Sequence, residues 1–564
     1  MKKEKLLMKI GHKTGNRLIF SLISIALFFS SCTKLDGYLD RAESGGMTEE
    51  EIFGNYEQTD AFLANIYASG IGSGDWFSVN NSFNFSAASD DARCQFNFAY
   101  APIVFTNGSL SPTNNPIDVW GGRYQHIRKV NIFLKHIDNV PNSSNPNLQG
   151  GKMRMKGEAY FLRAFFYFEL YKRYGTVPII KKPLDITDDL DIPRATQEEM
   201  IDFMKSDCDS AVMLLPLQYD DSNLGRATRG TAMMLKARML LYAASKLHNP
   251  QNDISKWEAA AQASKGIMEL GIYSLAPNYR VMMHTRQSPE IIFQSNINQV
   301  WQVTDKDWVR IMQPPSQGGG WANTQPLQNL VDAYEMADGT SFDWNNPTHA
   351  ANPYINRDPR FAATIIHDNS PWAGSAIRTY VGAGVDGLNY GSNGTRTGYY
   401  IGAKMLDETS TLITSYRPGS HFWIFMRYAE TLLNYAEAQN EVLAAPDQSI
   451  YDAVNAIRQR PSVNMPPLPP NLTKEEMRQR IRHERRIEMA LEDTRFWDIK
   501  RWRIGEEVMK AAYGMRVIRN GNNYTYEKFL IEDRVYRPAF DLFPIPLGEM
   551  LRNKALVQNP GYIN

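Results

Sequence analysis

The sequence turns on a stretch near its end, IRHERRIEMALEDTRFWDIKRW, Ile481–Trp502. Just upstream, Thr473-Lys474-Glu475-Glu476 is a T-x-x-E capping box, in which threonine and glutamate satisfy each other's backbone N–H, so a helix starts there. At about 100° per residue, Ile481, Ile487 and Leu491 fall on one arc, and Glu484 and Glu488 fall inside it. Carboxylates on an apolar face are almost never buried unpaired, and this stretch is crowded with arginines. It reads as a helix whose glutamates are clamped by arginines inside a core, followed by a second amphipathic piece, Phe496–Trp502, packing back. A buried ion-pair network is the favoured account of Glu484 and Glu488; a catalytic carboxylate pair is the competing one. His483-Glu484-Arg485-Arg486-Ile487 opens like the zinc-protease H-E-x-x-H. Ile487 stands where the second histidine must be, so no zinc site is expected.

Lys+Arg and Asp+Glu are equal at 61 each, which leaves no electrostatic footprint for a nucleic-acid partner. Aromatic residues make up 12%, with 28 Tyr and 11 Trp, a surplus that suits stacking on ligands as well as a core. Residues 1–31 read as a leader. Lys2, Lys3, Lys5, Lys9, Lys13 and Arg17 form a positive region, and the apolar run Leu18–Phe29 is too short to span a bilayer comfortably. Phe29-Ser30-Ser31-Cys32 then resembles a bacterial lipobox, with Phe29 in place of the usual leucine. The expectation is cleavage before Cys32 and lipidation of its thiol, each buried CH₂ contributing about 0.8 kcal/mol to membrane anchoring. Ordinary secretion with Cys32 free is the alternative. No later stretch is long and apolar enough for a transmembrane helix. Cys94 and Cys208 fit either one disulfide or two buried thiols.

Along the body, Thr48-Glu49-Glu50-Glu51 caps a helix expected to run to about Tyr67. Helices are expected over 119–137, 152–174, 196–215, 225–247 and 256–270, the last capped by Ser255-Lys256-Trp257-Glu258. Trp257-Ala260-Ala261, and Arg427–Val442 with Ala453–Arg458, resemble parts of helix–turn–helix repeats of about 34 residues. Paired helices that cannot bury their faces alone must stack, so the scaffold is expected to be tetratricopeptide-like. The segments 70–100 and 274–422 are different: rich in Gly, Asn, Ser and aromatics, with little periodicity. Long irregular segments in a compact body are typically binding loops.

The run E-R-R-I-E-x-A-x-E-x-x-R-F-W-D-I-K-R-W, Glu484–Trp502, resembles the C-terminal signature of the SusD/RagB family. Leu162–Ile180, Gly225–Leu247 and the close Leu542–Tyr562 resemble the same family. Its usual glycine after the last glutamate of the signature is Asp493 here, which puts the local turn in question. The resemblance implies a mainly α fold, with a tetratricopeptide-like helical-pair scaffold carrying long irregular ligand-binding loops. It implies one body over 32–564, divided into a helical part (32–270, with the loop 70–100), a loop-rich insert (271–422) and a C-terminal helical part (423–564). It implies a surface lipoprotein on the extracellular face of an outer membrane. Such a protein captures an oligosaccharide or a peptide for a SusC-like TonB-dependent transporter.

Tests for chemistry return little. Gly382-Ala383-Gly384-Val385-Asp386-Gly387 is a literal G-x-G-x-x-G, but no helix can follow it, so it is a loop and no dinucleotide cofactor is expected. The histidines do not cluster at metal-ligand spacing. Asp90-Asp91 are sequence neighbours and are not expected to point into one cleft. An enzyme is not expected; a surface glycoside hydrolase would need two carboxylates facing across the bond. The aromatic signal is stronger. Trp76 sits in a polar loop with Asn80 and Asn81, Trp301 and Trp308 flank a polar stretch, Trp321 follows three glycines, and Trp372 follows Pro371. Flat rings stack on sugar faces while amides bond hydroxyls, so these seven residues are the candidate ligand contacts. A pure assembly scaffold with a degenerate site is the third reading.

Overall fold

The structure is a computed structural model that describes residues 47–71, 85–96, 100–144, 151–295, 308–408 and 422–563. The leader, Cys32, Trp76, Asn80, Asn81 and Trp301 lie outside these residues. The chain opens with α1 (Glu49–Phe53) and α2 (Tyr56–Gly70). The Thr48 capping box forms with Glu51, but the helix expected to run on to Tyr67 is broken at Gly54, and Asn55 caps anew. After β1 (Ala92–Cys94) come α3 (Trp120–His136), α4 (Gly151–Tyr174), α5 (Gln197–Leu214), α6 (Arg229–Ala244) and α7 (Ile254–Met268). Two starts differ from expectation. Thr228, with Thr231, caps α6, because Gly225 at φ +92° still belongs to a turn. Asp253 caps α7 in place of Ser255.

The insert contributes short pieces: β2 (Ile291–Gln294), α8 (Trp308–Met312) and β3 (Thr324–Pro326). Then β4 (Ile424–Arg427) leads into α9 (Tyr428–Val442), α10 (Gln448–Arg458), α11 (Lys474–Glu488) and α12 (Thr494–Trp502). A long hairpin, β5 (Ala511–Asn520) and β6 (Asn523–Asp533), turns at Gly521-Asn522 and follows no feature singled out in the sequence. Gly521 supplies the positive φ (+63°) its turn needs. Helices stack pairwise, α4 on α5, α5 on α6, α6 on α7, α7 on α9, and α9 on α10 and α11. Helix α4 is buried on nearly every side from Phe161 to Tyr174, which is why its apolar positions show no single stripe. The core draws side chains from Phe53 to Leu556.

Two small antiparallel pairs stitch the insert to the helices. β1 pairs with β3, Cys94 opposite Thr324, and β2 pairs with β4, Ile291 opposite Arg427. The segment 85–94 is therefore core rather than a solvent loop: Phe85–Asp91 are buried. Cys94 and Cys208 are both free and buried. Burial pushes the Cys94 thiol up to about 12 and the Cys208 thiol well up, so neither is reactive near neutrality.

The capping box at Thr473 forms with Glu476, and α11 carries Glu484 and Glu488 into the interior, both wholly buried. Glu488 accepts from Arg427 Nη1 (2.8 Å), Arg460 Nη2 (2.7 Å) and Arg360 Nη1 (3.1 Å). Glu290, just before β2, accepts from the same Arg427 (2.6 Å) and Arg460 (2.9 Å). Glu492 accepts from Arg427 Nε and Nη2 (2.8 Å each) and pairs with Lys404 (2.6 Å). Glu484 is held by Arg360 and Arg458, and Arg458 also reaches Glu335 at 2.9 Å. Burial alone would push the Glu488 carboxyl up; the guanidinium groups of Arg460, Arg427 and Arg360 more than reverse this and hold it far below the usual range. Every carboxylate of this group meets a cation, which is the clamped-core arrangement and leaves Glu484 and Glu488 no face open to a substrate. Asp90 and Asp91, not expected to point into one cleft, are buried and both reach Arg486 (3.1 and 2.7 Å), with Arg495 on Asp90 at 2.8 Å. The turn 85–91 bends sharply enough to bring neighbouring side chains onto one guanidinium.

Between α11 and α12 the chain reverses through Leu491 at φ +64° and Asp493 at φ +63°. Left-handed backbone is where glycine is cheapest, so the family's usual glycine at Asp493 has a geometric cause. Burial holds the Asp493 carboxyl well above the usual carboxylate range, although the backbone N–H groups of Phe85 and Ser86 face it.

Glu488→Gln leaves three arginines short of one charge and is expected to destabilise by about 3–5 kcal/mol, read as a lowered urea midpoint. Glu437, paired to Arg501 at 2.6 Å, is lowered to about 2 against the pull of burial, chiefly by that arginine. Its stabilisation is present above the unfolded carboxylate value of about 4.3 and is lost as pH falls through the folded one, so acid unfolding is expected to set in below about pH 4. Asp493→Gly is expected to stabilise by about 1 kcal/mol or more. The gain should grow as pH rises from about 4 to about 7, because only the aspartate's ionised form is penalised by burial. Melting curves at the two pH values check this; a gain equal at both would show that the carboxyl is not the source.

Candidate functional site

The loop from Arg310 to Ala322 is built around three glycines. Gly318 and Gly319 have φ of +61° and +77°. A Cβ on Gly320 would lie 2.3 Å from the Gln313 carbonyl oxygen and 2.5 Å from that of Pro314. The loop closes through Gln317 N to Pro314 O (3.0 Å), Gly319 N to Pro315 O (3.1 Å) and Trp321 N to Arg310 O (2.8 Å). Glycine is thus required here by conformation at two positions and by close approach at the third. The result is Trp321 half-buried, one part packed on the core and the rest offered outward, with the exposed Arg310 guanidinium 5.6 Å from its ring centre.

Amides surround it. Asn323 N donates to Ile311 O (2.8 Å), and Gln95 N donates to Asn323 O (2.7 Å), so the β1–β3 pairing carries the end of the 70–100 segment to the Trp321 loop. Gln325 Nε2 donates to Ala322 O (3.0 Å) and to Gln95 Oε1, and Gln95 Nε2 donates to Ser392 O. Gln325 Oε1 accepts from Arg396 N at 2.7 Å, and Arg396 Nη2 donates to Gly391 O at 2.6 Å. Burial lowers the Arg396 guanidinium, and its Nη1 is shielded from solvent without a partner. A half-exposed indole with a cation over it, flanked by a ladder of amides, is suited to a flat-faced, hydroxyl-bearing ligand. The carboxylate that meets the loop, Asp386, is taken by Ser316 N at 2.9 Å.

The sequence-derived candidates separate. Trp321 stands at this site. Trp308 begins α8, two residues before Arg310, and only its backbone is described. Trp372 is a correction: it is 1% exposed and offers no face for stacking. The β-bridged turn Pro371–Ala376 folds it inward against the core, so the proline before it marks a tight turn rather than a binding loop. Arg310, Gln95, Gln325 and Arg396 were not singled out in the sequence, because their convergence rests on a pairing of three-residue strands with no periodicity to reveal it.

Comparisons with known proteins agree along the chain. Residues 289–562 match the family model described as the SusD family, and residues 37–241 match one described as starch-binding associating with outer membrane. A SusD-like protein of Formosa agariphila is 24% identical over 477 residues, covering 81% of this chain and 82% of that protein. A solved SusD-like protein of Bacteroides fragilis superposes with a TM-score of 0.78 at 29% identity, covering 92% of this chain and 99% of the other. A second from the same organism, described as a SusD-like carbohydrate binding protein, has a TM-score of 0.75 at 26% identity, covering 90% and 100%. The chain belongs to the SusD/RagB family, and its mainly α fold with loop-borne insert is the SusD-like fold.

Gly320→Ala is expected to destabilise by about 1–3 kcal/mol and to open the 313–322 loop, since the obstructing atoms are backbone. The urea midpoint and hydrogen exchange of that loop check it. Trp372→Ala is expected to cost about 3–5 kcal/mol as a core truncation.

Proposed function

We propose that this protein is a surface nutrient-capture lipoprotein, anchored through Cys32 on the outer face of an outer membrane. It binds an oligosaccharide or polysaccharide without altering it and delivers it to a SusC-like TonB-dependent transporter. The observation that carries this reading is Trp321: an indole held half-exposed on a loop whose glycines are sterically required, beside an amide ladder. A purely structural tryptophan would not need such a loop. The carbohydrate-binding description of a solved relative supports the ligand class. The outer-membrane wording of the matched family model supports the location, and among the described residues no helix is long and apolar enough to cross a membrane. The clamped state of Glu484 and Glu488 and the engaged state of Asp386 support binding over hydrolysis, which would need a free carboxylate pair at the ligand.

The test is calorimetry of the chain from Thr33 onward against plant, host and microbial glycans and a peptide mixture, with the sugar recovered afterwards. A glycan is expected to bind and return intact, and Trp321→Ala is expected to cost about 2 kcal/mol of binding, as for a central aromatic anchor. Trp372→Ala, where folded, should bind as the parent does. Binding of peptides alone would move the chain to a peptide-importing role, and cleavage of the glycan would make it a hydrolase.

A further inference from the structure

In the core, Arg360, Arg427, Arg458 and Arg460 each meet a carboxylate at 2.6–2.9 Å. The arginines beside Trp321 are different. Among the described residues, Arg310 forms no ion pair: it is exposed, and its guanidinium lies 5.6 Å from the Trp321 ring centre. Arg396 forms none either, and its Nη2 donates to Gly391 O at 2.6 Å. Both are tied to the Trp321 loop. Trp321 N donates to Arg310 O at 2.8 Å. Arg396 N donates to Gln325 Oε1 at 2.7 Å, and Gln325 Nε2 donates to Ala322 O at 3.0 Å. Arg93 stands opposite Gln325 in the β1–β3 pair, and after burial its charge is what lowers the Arg396 guanidinium. Two like charges are thus close enough to repel.

The described carboxylates nearby are committed elsewhere. Asp386 is buried and accepts from Ser316 N at 2.9 Å. Glu532 is shared between Arg93 (3.6 Å) and Arg534 (3.0 Å). This face therefore carries positive charge without a matching negative one, in a chain whose Lys+Arg and Asp+Glu are equal at 61 each. A sugar hydroxyl both donates and accepts, and amides serve it without any net charge. A guanidinium only donates, and its planar fork matches an ionised, acceptor-only group such as a carboxylate or sulfate ester. An exposed guanidinium over the indole, with a second positive charge behind it, fits a ring that bears an acid.

We propose that the Trp321 face selects an acidic saccharide, its ring on the indole and its carboxylate or sulfate ester at Arg310, with the charge of Arg396 drawing it in. This rests on the reading of Trp321 as the glycan face and adds the ligand's charge to it. The test is calorimetry of the chain from Thr33 onward with polysaccharides paired by charge. Polygalacturonate is set against its methyl ester and alginate against its glycol ester; carrageenan and dextran sulfate are set against their desulfated forms. Polyglutamate is the acidic control without sugar. At least one acidic member is expected to bind, and its neutral counterpart at least about tenfold more weakly, the worth of one charged hydrogen bond. The pairs that respond tell carboxylate from sulfate ester. Arg310→Gln is expected to weaken the acidic member about tenfold and the neutral one less than about twofold. Trp321→Ala is expected to weaken both. Raising NaCl from about 0.1 M to about 1 M shrinks the screening length from about 10 Å to about 3 Å and is expected to weaken the acidic member severalfold. Neutral members that bind as tightly as acidic ones, with binding lost in Trp321→Ala, would overturn the acidic selection and leave the glycan face standing. No binding by any saccharide, or acidic binding untouched by Trp321→Ala, would overturn both. Acidic binding untouched by Arg310→Gln, or equalled by polyglutamate, would overturn the proposal. Should Arg310→Gln fail to fold, the comparison within pairs decides alone.

Discussion

The rest of the structure depends on one buried contact set, the meeting of Arg427 with Glu290, Glu488 and Glu492. Arg427 ends β4, Glu290 immediately precedes β2, and Glu488 ends α11, so one guanidinium ties the insert to the C-terminal helices. Such a lattice is not in itself a large source of stability; apolar replacements of the whole set can do as well. Its force is conditional. Once two of these charges are buried, every other must be in place, since one missing partner leaves an uncompensated charge at several kcal/mol. That all-or-none character fixes the register of β2 on β4 and with it the frame that carries the insert.

The insert then shows why binding here can be rigid without regular structure. Gly318, Gly319 and Ala322 all have positive φ, and Gly320 admits no side chain. The backbone is over-determined by its own hydrogen bonds, so little ordering cost remains for a ligand to meet. Gln95 and Gln325 are locked to each other before any ligand arrives.

The helical scaffold was legible in the sequence because its determinants are local. Thr473 with Glu476, Thr196 with Glu199 and Thr48 with Glu51 form their capping boxes from residues three apart. Glu484 and Glu488 announced their arginine clamp because a carboxylate on an apolar arc has few other fates. Which arginines would answer was not legible: Arg360 and Arg427 come from segments distant in the chain. The site was legible only at Trp321, through the glycines before it. Trp372 misled because a proline–tryptophan step looks alike in a binding loop and in a turn folded onto a core. The hairpin Ala511–Asp533 was missed although Gly521-Asn522 is a good turn signal, because its flanks alternate weakly and carry many charges. Asp493 was flagged as a departure, and its left-handed φ supplies the reason the position matters.

The long reach of the ion pairs also sets a schedule. Arg495 answers Asp90 across 405 positions of sequence, and Arg534 answers the Ser89 carbonyl across 445. Asn559 bonds the Tyr174 carbonyl across 385. While the ribosome is still making α10, Glu290 has no Arg460 beside it, and Asp90 and Asp91 have no Arg486 or Arg495. A partial chain therefore carries buried-type charges without answers and cannot close its core. Domains with such non-local closure fold slowly and late. Here the final hundred or so residues act as the last step of assembly, so the body is completed only after synthesis ends. Until then the chain stays open and threadable.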